Sequence, residues 1–277
     1  MKKIIIIFTI LILLVLIVIG LIWGTNSIVV TKIQYTNSKI PSEFNGYKIL
    51  QISDLHNKEF GKNQSKLVEK VKECNPDIIV ITGDLIDRKI TDLDNAMEFI
   101  EAIVDDIPIY YVCGNHEAYT LEYGKIKEKL IMANVIVLDN ESVKLSKDGK
   151  TINLIGLIDP NFYTKDDKIK KINNELERLS NDEYFQILLA HRPEFMNIYK
   201  RYDIDIALTG HTHGGQIRLP FIGGIVAPNQ GFFPTYIDGE YVEGNTTMIV
   251  SRGLGNTGVP IRIFNRPEII LLELQKD

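Results

Sequence analysis

The sequence contains five histidines, and each stands at or just beyond the end of a short β-branched, apolar run. Asp54-Leu-His56 leaves a run that closes at Ser53, and Gly83-Asp84-Leu-Ile-Asp87 leaves the run 77–82. Gly114-Asn115-His116-Glu117 follows 107–112, His191 follows 184–190, and Gly210-His211-Thr-His213 follows 203–209. Imidazole and carboxylate are borderline-to-hard donors, suited to Mn, Fe, Zn or Co rather than to Ca or Cu(I). A carboxylate has two oxygens and can bridge two ions about 3.5–4 Å apart, and such a pair activates water and steadies the attacking and leaving oxygens of a phosphoryl displacement. The glycines ahead of Asp84, Asn115 and His211 allow backbone to approach a crowded centre. One histidine after a strand is most often structural; five of five in ligand-type blocks point to a pair of divalent metal ions.

Such a cluster needs elements that deliver it to one place, and loops leaving the carboxyl ends of parallel strands do so. Ile28–Tyr35 reads as a half-buried strand with Val29, Thr31, Ile33 and Tyr35 on one face. Stretches 47–53, 77–82 and 107–112 read as buried strands. A helix over 65–73, capped by Ser65 and closed by Pro76, separates the first two, and a second follows Thr91, which with Asp94 resembles a capping box. The order is that of an α/β protein with a largely parallel sheet. Beyond it, 142–147 and 151–157 form a hairpin around Asp148-Gly149, 164–179 a charged helix, 184–190 and 203–209 strands, and 269–274 a last apolar strand. No linker or repeat divides 28–277, which reads as one domain.

Hydrophobic residues make up 45% and charged residues 24%, which excludes a disordered chain. Two cysteines, Cys74 and Cys113, are too few for a disulfide framework or a Cys-based zinc module. The net charge is −5 and no Lys/Arg block occurs, so no nucleic-acid partner is expected. Ile4 to Trp23 is a run of 20 residues without a charge, and as a helix it covers roughly 30 Å, the thickness of a bilayer core. A cleaved signal has a core of about 7–15 residues and an A-x-A-like site. Residues 1–24 therefore read as an uncleaved membrane anchor. Lys2 and Lys3 ahead of it favour an extracellular domain. With those two set aside, 29 basic side chains face 36 acidic ones, so charge alone would not hold the domain to anionic lipid.

In order, the blocks D-x-H, G-D-x-x-D, G-N-H-E, H and G-H-x-H over 54–213 resemble the calcineurin-like metallophosphoesterase superfamily. The tail Ser251–Pro260 resembles its membrane-associated bacterial branch. The resemblance implies a four-layer α/β/β/α sandwich of two mixed sheets with the site at one end. It implies that Asp54, His56 and His213 hold one metal and Asn115, His191 and His211 the other, with Asp84 bridging. His116 would touch the phosphate and protonate the leaving oxygen, Glu117 would orient it, and Asp87 would stand behind the ligands. The implied reaction is hydrolysis of a phosphoester by a metal-bridging hydroxide, with diester or pyrophosphate bonds ahead of monoesters. Lipid-linked substrates of the UDP-diacylglucosamine kind are implied for the branch.

Other readings compete locally. Asp87 could cap the next turn or pair with Arg88. Gly253-Leu-Gly255-Asn-Thr-Gly258 matches G-x-G-x-x-G, but Val259-Pro260 is unlikely to open a helix, so a loop is expected. Cys113 reads as a buried strand residue and Asp159-Pro160 as a turn. Leu219–Pro228 with Phe232-Phe233 reads as a core hairpin, or else as an apolar lip that admits an amphiphilic phosphoester. A non-catalytic metal-dependent cell-wall or lipid-binding module is the alternative to an enzyme; the His116-Glu117 pair argues against it, because binding alone needs no proton donor.

Overall fold

A computed structural model describes residues 2–256, 258 and 260–277. Helix α1 (Lys2–Asn26) leads into β1 (Val29–Asn37). In the first six-stranded sheet β1 lies beside β16 (Glu268–Lys276), followed by β2 (Lys48–Ile52), β3 (Ile78–Thr82), β4 (Ile109–Val112) and β5 (Ile136–Val137). Strands β2 to β5 are parallel, β16 runs antiparallel to β2, and β1 parallel to β16. The second six-stranded sheet is ordered β14 (Gly239–Glu243), β15 (Thr246–Val250), β9 (Ile206–Thr209), β8 (Gln186–Leu189), β7 (Lys150–Gly156) and β6 (Glu141–Lys147). Its inner strands are parallel and its two outer pairs antiparallel. Both sheets are thus mixed, where strand order alone suggested one largely parallel sheet.

The layers follow from which faces are apolar. Ile49, Val80 and Val112 of the first sheet pack on Leu154, Ile187, Leu208 and Ile249 of the second. The outer face of the first sheet is covered by α2 (Ser65–Cys74), α3 (Asp94–Glu101) and α5 (Tyr123–Met132), through side chains such as Val71, Phe99 and Leu130. The outer face of the second is covered by α6 (Lys168–Leu179) and α7 (Met196–Tyr199), through Leu176 and Met196. Strands β2, β3 and β4 are buried on both sides, which is why they are continuous apolar runs.

Two expected caps are not formed. Helix α2 begins at Ser65 without a side-chain cap, because Gln64 ahead of it ties the loop instead, accepting from the Phe60 amide and donating to the Lys58 and Asn95 carbonyls. Thr91 donates to Glu122 (3.0 Å) rather than capping α3, which starts at Asp94. The charged helix starts at Lys168, four residues later than expected. The segment 253–263 contains no helix among the described residues; Thr257 and Val259 of the glycine-rich match and its flank lie outside them.

Because β1 runs antiparallel to β2, α1 enters at the edge where β2, β3 and β4 end. Its membrane-length body is exposed, and its last turn is docked. Lys58 Nζ donates to the Thr25 carbonyl, the Arg262 amide donates to Thr25 Oγ1 (3.1 Å), and Arg266 Nε donates to the Ser27 carbonyl (3.2 Å). The Arg266 guanidinium lies 4.4 Å over the Trp23 ring. Cations at a helix C-terminus answer its free carbonyls and its dipole.

Candidate metal centre

The carboxyl ends of β2, β3 and β4 face those of β8 and β9 across the sandwich, and the loops leaving them carry the predicted site residues. Asp54, His56, Asp84, Asn115, His116, Glu117, His191, His211 and His213 are all buried. Asp54 (φ 53°), His56 (46°), Asp84 (55°), His211 (71°) and His213 (52°) hold left-handed backbone. For non-glycine residues this costs about 1–3 kcal/mol each and persists only where the surroundings fix it. The preceding glycines do what their spacing suggested. A Cβ on Gly114 would fall 2.2 Å from Asp84 Oδ1, and one on Gly210 would fall 2.0 Å from Ser53 Oγ and 2.5 Å from Asp54 Oδ2. Gly83 has a φ of +92°, and a Cβ there would meet the Gly114 amide nitrogen at 2.6 Å.

Two donor groups meet at one oxygen. In the first, His56 Nε2 and His213 Nε2 are 3.2 Å apart, and Asp54 Oδ1 is 3.9 and 3.4 Å from them. In the second, His191 Nε2 lies 3.2 Å from Asp84 Oδ2 and 3.1 Å from Asn115 Oδ1, with His211 close by. Asp84 Oδ2 is also 3.6 Å from His56 Nε2, so this single oxygen faces both groups. Its partner Oδ1 accepts the His116 amide (2.8 Å).

The ring protons can be placed from the hydrogen bonds. His56 Nδ1 lies 3.2 Å from the Ile86 carbonyl and His191 Nδ1 2.7 Å from the Thr82 carbonyl. A carbonyl only accepts, so Nδ1 carries a proton in both rings and Nε2 is the atom left to face the centre, as in metal-bound imidazoles. Ring nitrogens and carboxylate oxygens converging in this way fit cations, with any proton between His191 Nε2 and Asp84 leaving as the ion enters. His116 is reversed: its Nδ1 accepts the Arg88 amide (3.0 Å), which leaves the proton on Nε2, 4.0 Å from Asp84 Oδ2. It therefore offers the centre a proton where its neighbours offer lone pairs.

The charges agree with this division. Burial holds His56 down to about 4, and holds His211 and His213 well below the ordinary imidazole range. Neutral imidazole is the ligating form. Burial also lowers His191, but Asp84 beside it outweighs this and raises it to about 10. Asp84 in turn is held well below the carboxylate range, its burial outweighed by His191. Burial pushes Asp54 up to about 6.

Glu117 sits elsewhere than on His116. Its carboxylate accepts the amides of Gly114 (2.8 Å), Asp84 (2.9 Å) and Ile86 (3.2 Å), pinning the β3 and β4 loops together. Burial raises it to about 7. Asp87 Oδ1 accepts the Lys89 amide (2.9 Å), closing the next turn, while Oδ2 lies 3.7 Å from His116 Nδ1.

Several neighbours were not singled out from the sequence. Arg192, next to His191, is buried and paired with Asp159 (Nε to Oδ2, 2.6 Å). Its Nη1 and Asn229 Nδ2 each lie 3.0 Å from His211 Nε2. Asp159 also accepts the Asn161 amide (2.8 Å), so its turn role is real but incomplete. Arg88, Tyr119, Arg192 and Asn229 line a pocket of about 200 Å³ over Asp84 and His116. The dipeptide His191-Arg192 was the available signal for Arg192; Asn229, in a loop, had none.

A sandwich of this build with paired His/Asp donor groups at one edge fits the architecture of the metallophosphoesterases. Residues 47–215 match the profile of the calcineurin-like phosphoesterases, well over half of the chain, and the chain belongs to that family. It is 34% identical to the uncharacterized metallophosphoesterase YkuE of Bacillus subtilis, over 86% of this chain and 82% of that one. It is 32% identical to the transmembrane protein with metallophosphoesterase domain of Bos taurus, over 94% of this chain but only 60% of the relative's length. Among solved structures, the phosphopantetheinyl hydrolase PptH of Mycobacterium tuberculosis overlays with a TM-score of 0.49 at 12% identity, over 76% of this chain and 91% of that one.

Proposed function

We propose that the chain is a membrane-anchored hydrolase of phosphodiester or pyrophosphate bonds working through a dinuclear metal centre, with an uncleaved anchor at 1–24 and one catalytic domain at 28–277. The observation that carries this reading is Asp84 Oδ2, turned towards both donor groups at once. Asp54, His56 and His213 would hold one ion, Asn115, His191 and His211 the other, and Asp84 both. Two bound ions of the Mn, Fe, Zn or Co class would supply a water made nucleophilic at neutral pH and positive charge against the phosphoryl oxygens.

The chain supplies the rest. His116 Nε2–H, 4.0 Å from Asp84 Oδ2, would hydrogen-bond the leaving oxygen; to give that proton away the ring must first be protonated at Nδ1 as well, a charged form that Asp87, 3.7 Å from Nδ1, favours. Arg88, Arg192 and Asn229 bring donors to the pocket wall, where they would orient the equatorial oxygens. A binding module has no use for the reversed ring of His116, which weighs against the non-catalytic alternative.

The substrate we favour is a phosphoester carried on a lipid. An apolar pocket of about 520 Å³, with Ile217, Ile225, Val226 and Pro228 on its walls, adjoins His213. A second pocket, of about 370 Å³, joins Thr25, Asn26 and Lys58 at the end of α1 to His56. A headgroup phosphate at the bilayer surface thus has a short route to the metals. Lys2 and Lys3 ahead of the anchor favour the outer side for the domain.

The test is hydrolysis of bis- and mono-(p-nitrophenyl) phosphate by the full chain in detergent, stripped of metal and titrated with Mn²⁺. Metal-dependent turnover favouring the diester is expected. A protein that binds no metal overturns the reading; one that gains stability but no turnover from metal, on these and on lipid diesters, is the binding module.

A further inference from the structure

After His213 the chain forms two small hairpins. β10 (Arg218–Leu219) pairs with β11 (Gly223–Gly224), and β12 (Val226–Ala227) pairs with β13 (Gly231–Phe232). Their turns lie at opposite ends of the stretch 223–227. The second turn reaches the metal centre through Asn229. The first is based on a different neighbour: Ile217 bridges Ile263, and the Arg218 amide donates to the Ile263 carbonyl (3.0 Å). The residues beside Ile263 are those that hold the end of α1, since Arg262 bonds Thr25 and Arg266 covers Trp23.

Leu219, Phe221 and Ile222 on that first turn, and Ile261 and Phe264 beside Thr25, are all exposed, Phe221 fully and Phe264 at 72%. Phe221 (φ 66°) and Phe264 (φ 49°) also hold left-handed backbone, which bulky side chains rarely adopt. Both rings thus stand in the open on backbone unfavourable to them, a combination that marks a surface built for contact.

We infer that these five side chains enter the lipid beside α1 and give the domain a second attachment to the bilayer. Depth supports this occupant over a protein. Trp23 is placed for the aromatic belt at the water–lipid boundary, and Thr25, two residues on, is roughly 3 Å further along the helix. Ile261 precedes the residue bonded to Thr25 and Phe264 follows it by two, which sets both near headgroup level. The tip of the first turn is three to four residues from the bond to Ile263, within roughly 13 Å. The acidic domain has little charge to attract it to lipid, which leaves apolar insertion as the mode. The inference rests on α1 as a membrane span and not on what the metal centre hydrolyses.

The experiment uses the full chain in nanodiscs of phosphatidylcholine and phosphatidylglycerol, with a nitroxide on Phe221→Cys, Phe264→Cys or Met132→Cys in turn. Met132 is exposed and ends α5 at the opposite edge of the first sheet, and the native Cys74 and Cys113 are buried. Power saturation compares collisions with oxygen, which concentrates in lipid, and with a water-soluble nickel chelate. The labels at 221 and 264 are expected to show an oxygen-to-nickel ratio several-fold above that at 132. Equal ratios at all three overturn the inference, as does protection from both reagents at 221 and 264, which would mean a protein partner or a second copy covers them. Mn²⁺ uptake by each labelled variant reports folding, and Ile222→Cys replaces either position should it misfold.

Discussion

The metal centre and the apolar face that begins a few residues beyond it invert opposite rules. In the first, carboxylates, an amide and five imidazoles are buried; in the second, phenylalanines and isoleucines stand exposed on the domain. A buried polar group is costly unless partnered, and here most are held by a specific neighbour: a Thr82 carbonyl for His191, the Arg88 amide for His116, three amides for Glu117. An exposed apolar group needs no partner in the chain, so its neighbours there leave its purpose open. The difference is one of determination. The centre is fixed from within, residue by residue, whereas the apolar face is explained only by what lies outside the protein.

The sharpest way to break this contrast is at Asp84, on which both halves of the centre depend. Asp84→Asn keeps the shape and the Oδ1 contact with the His116 amide but removes the shared charge. Turnover of bis-(p-nitrophenyl) phosphate with Mn²⁺ is expected to fall by about 10³-fold or more, with the melting temperature little changed. Near wild-type turnover would mean the two groups do not act as one centre.

His116→Gln separates proton donation from metal holding. Turnover is expected to drop by about 10²-fold while metal content by elemental analysis stays at the wild-type level, and the loss should be smaller for nitrophenyl leaving groups than for alkyl ones. A protein that loses its metal instead would put His116 among the ligands.

Asp159→Ala asks whether the residues behind the centre are equally fixed. Arg192 would be left buried beside His211 with only Glu194, 3.3 Å from its Nη1, as a carboxylate partner, and stability in urea is expected to fall by about 3 kcal/mol. A change below about 1 kcal/mol would mean that water already serves the guanidinium.

What could be read in the sequence divides along the same line. Histidines are few, the five fall at four strand ends, and glycines stand directly ahead of Asp84, Asn115 and His211, so Asp54, His56, Asp84, Asn115, His116, His191, His211 and His213 stood out. The buried strands were legible because β2, β3 and β4 have no polar face to confuse the period. Pairing was not: β1 joins β16 from the other end of the chain, and no local pattern encodes that. Glu117 was misassigned because its bonds go to amides of two separate loops. Arg192 and Asp159 are a long-range pair whose members each look ordinary. Phe232 and Phe233 were left between a core hairpin and an apolar lip, because an apolar residue looks the same in sequence whether it is core or surface. They are not core but 76% exposed.

The proton inventory of the centre tests its electrostatics without any substrate. In the metal-free protein, burial lowers His191 and Asp84 more than reverses this, to about 10, so the ring is charged at pH 8 and must lose that proton to become a ligand. Mn²⁺ binding should release about one proton at pH 8, and affinity should rise roughly tenfold per pH unit until His191 titrates. Calorimetry in two buffers of different ionisation enthalpy counts the proton. No release would mean that His191 is already neutral and that Asp84 lies further from it than 3.2 Å.

The smallest effect is expected where the two regions meet. Phe232 and Phe233 stand beside the apolar pocket that adjoins His213, outside the metal ligands and their partners. Replacing both by Ser removes apolar contact worth about 1 kcal/mol to a lipid tail, and nothing for a small reporter. Turnover of a lipid phosphodiester in mixed micelles should therefore fall by about five-fold, with bis-(p-nitrophenyl) phosphate unaffected. An equal loss on both substrates would mean the two rings support the fold of the hairpin, and the lip would then have no part in choosing the substrate. A loss on the lipid alone would show that the exposed face and the buried centre serve one molecule, the first holding its tail while the second cuts at its phosphate.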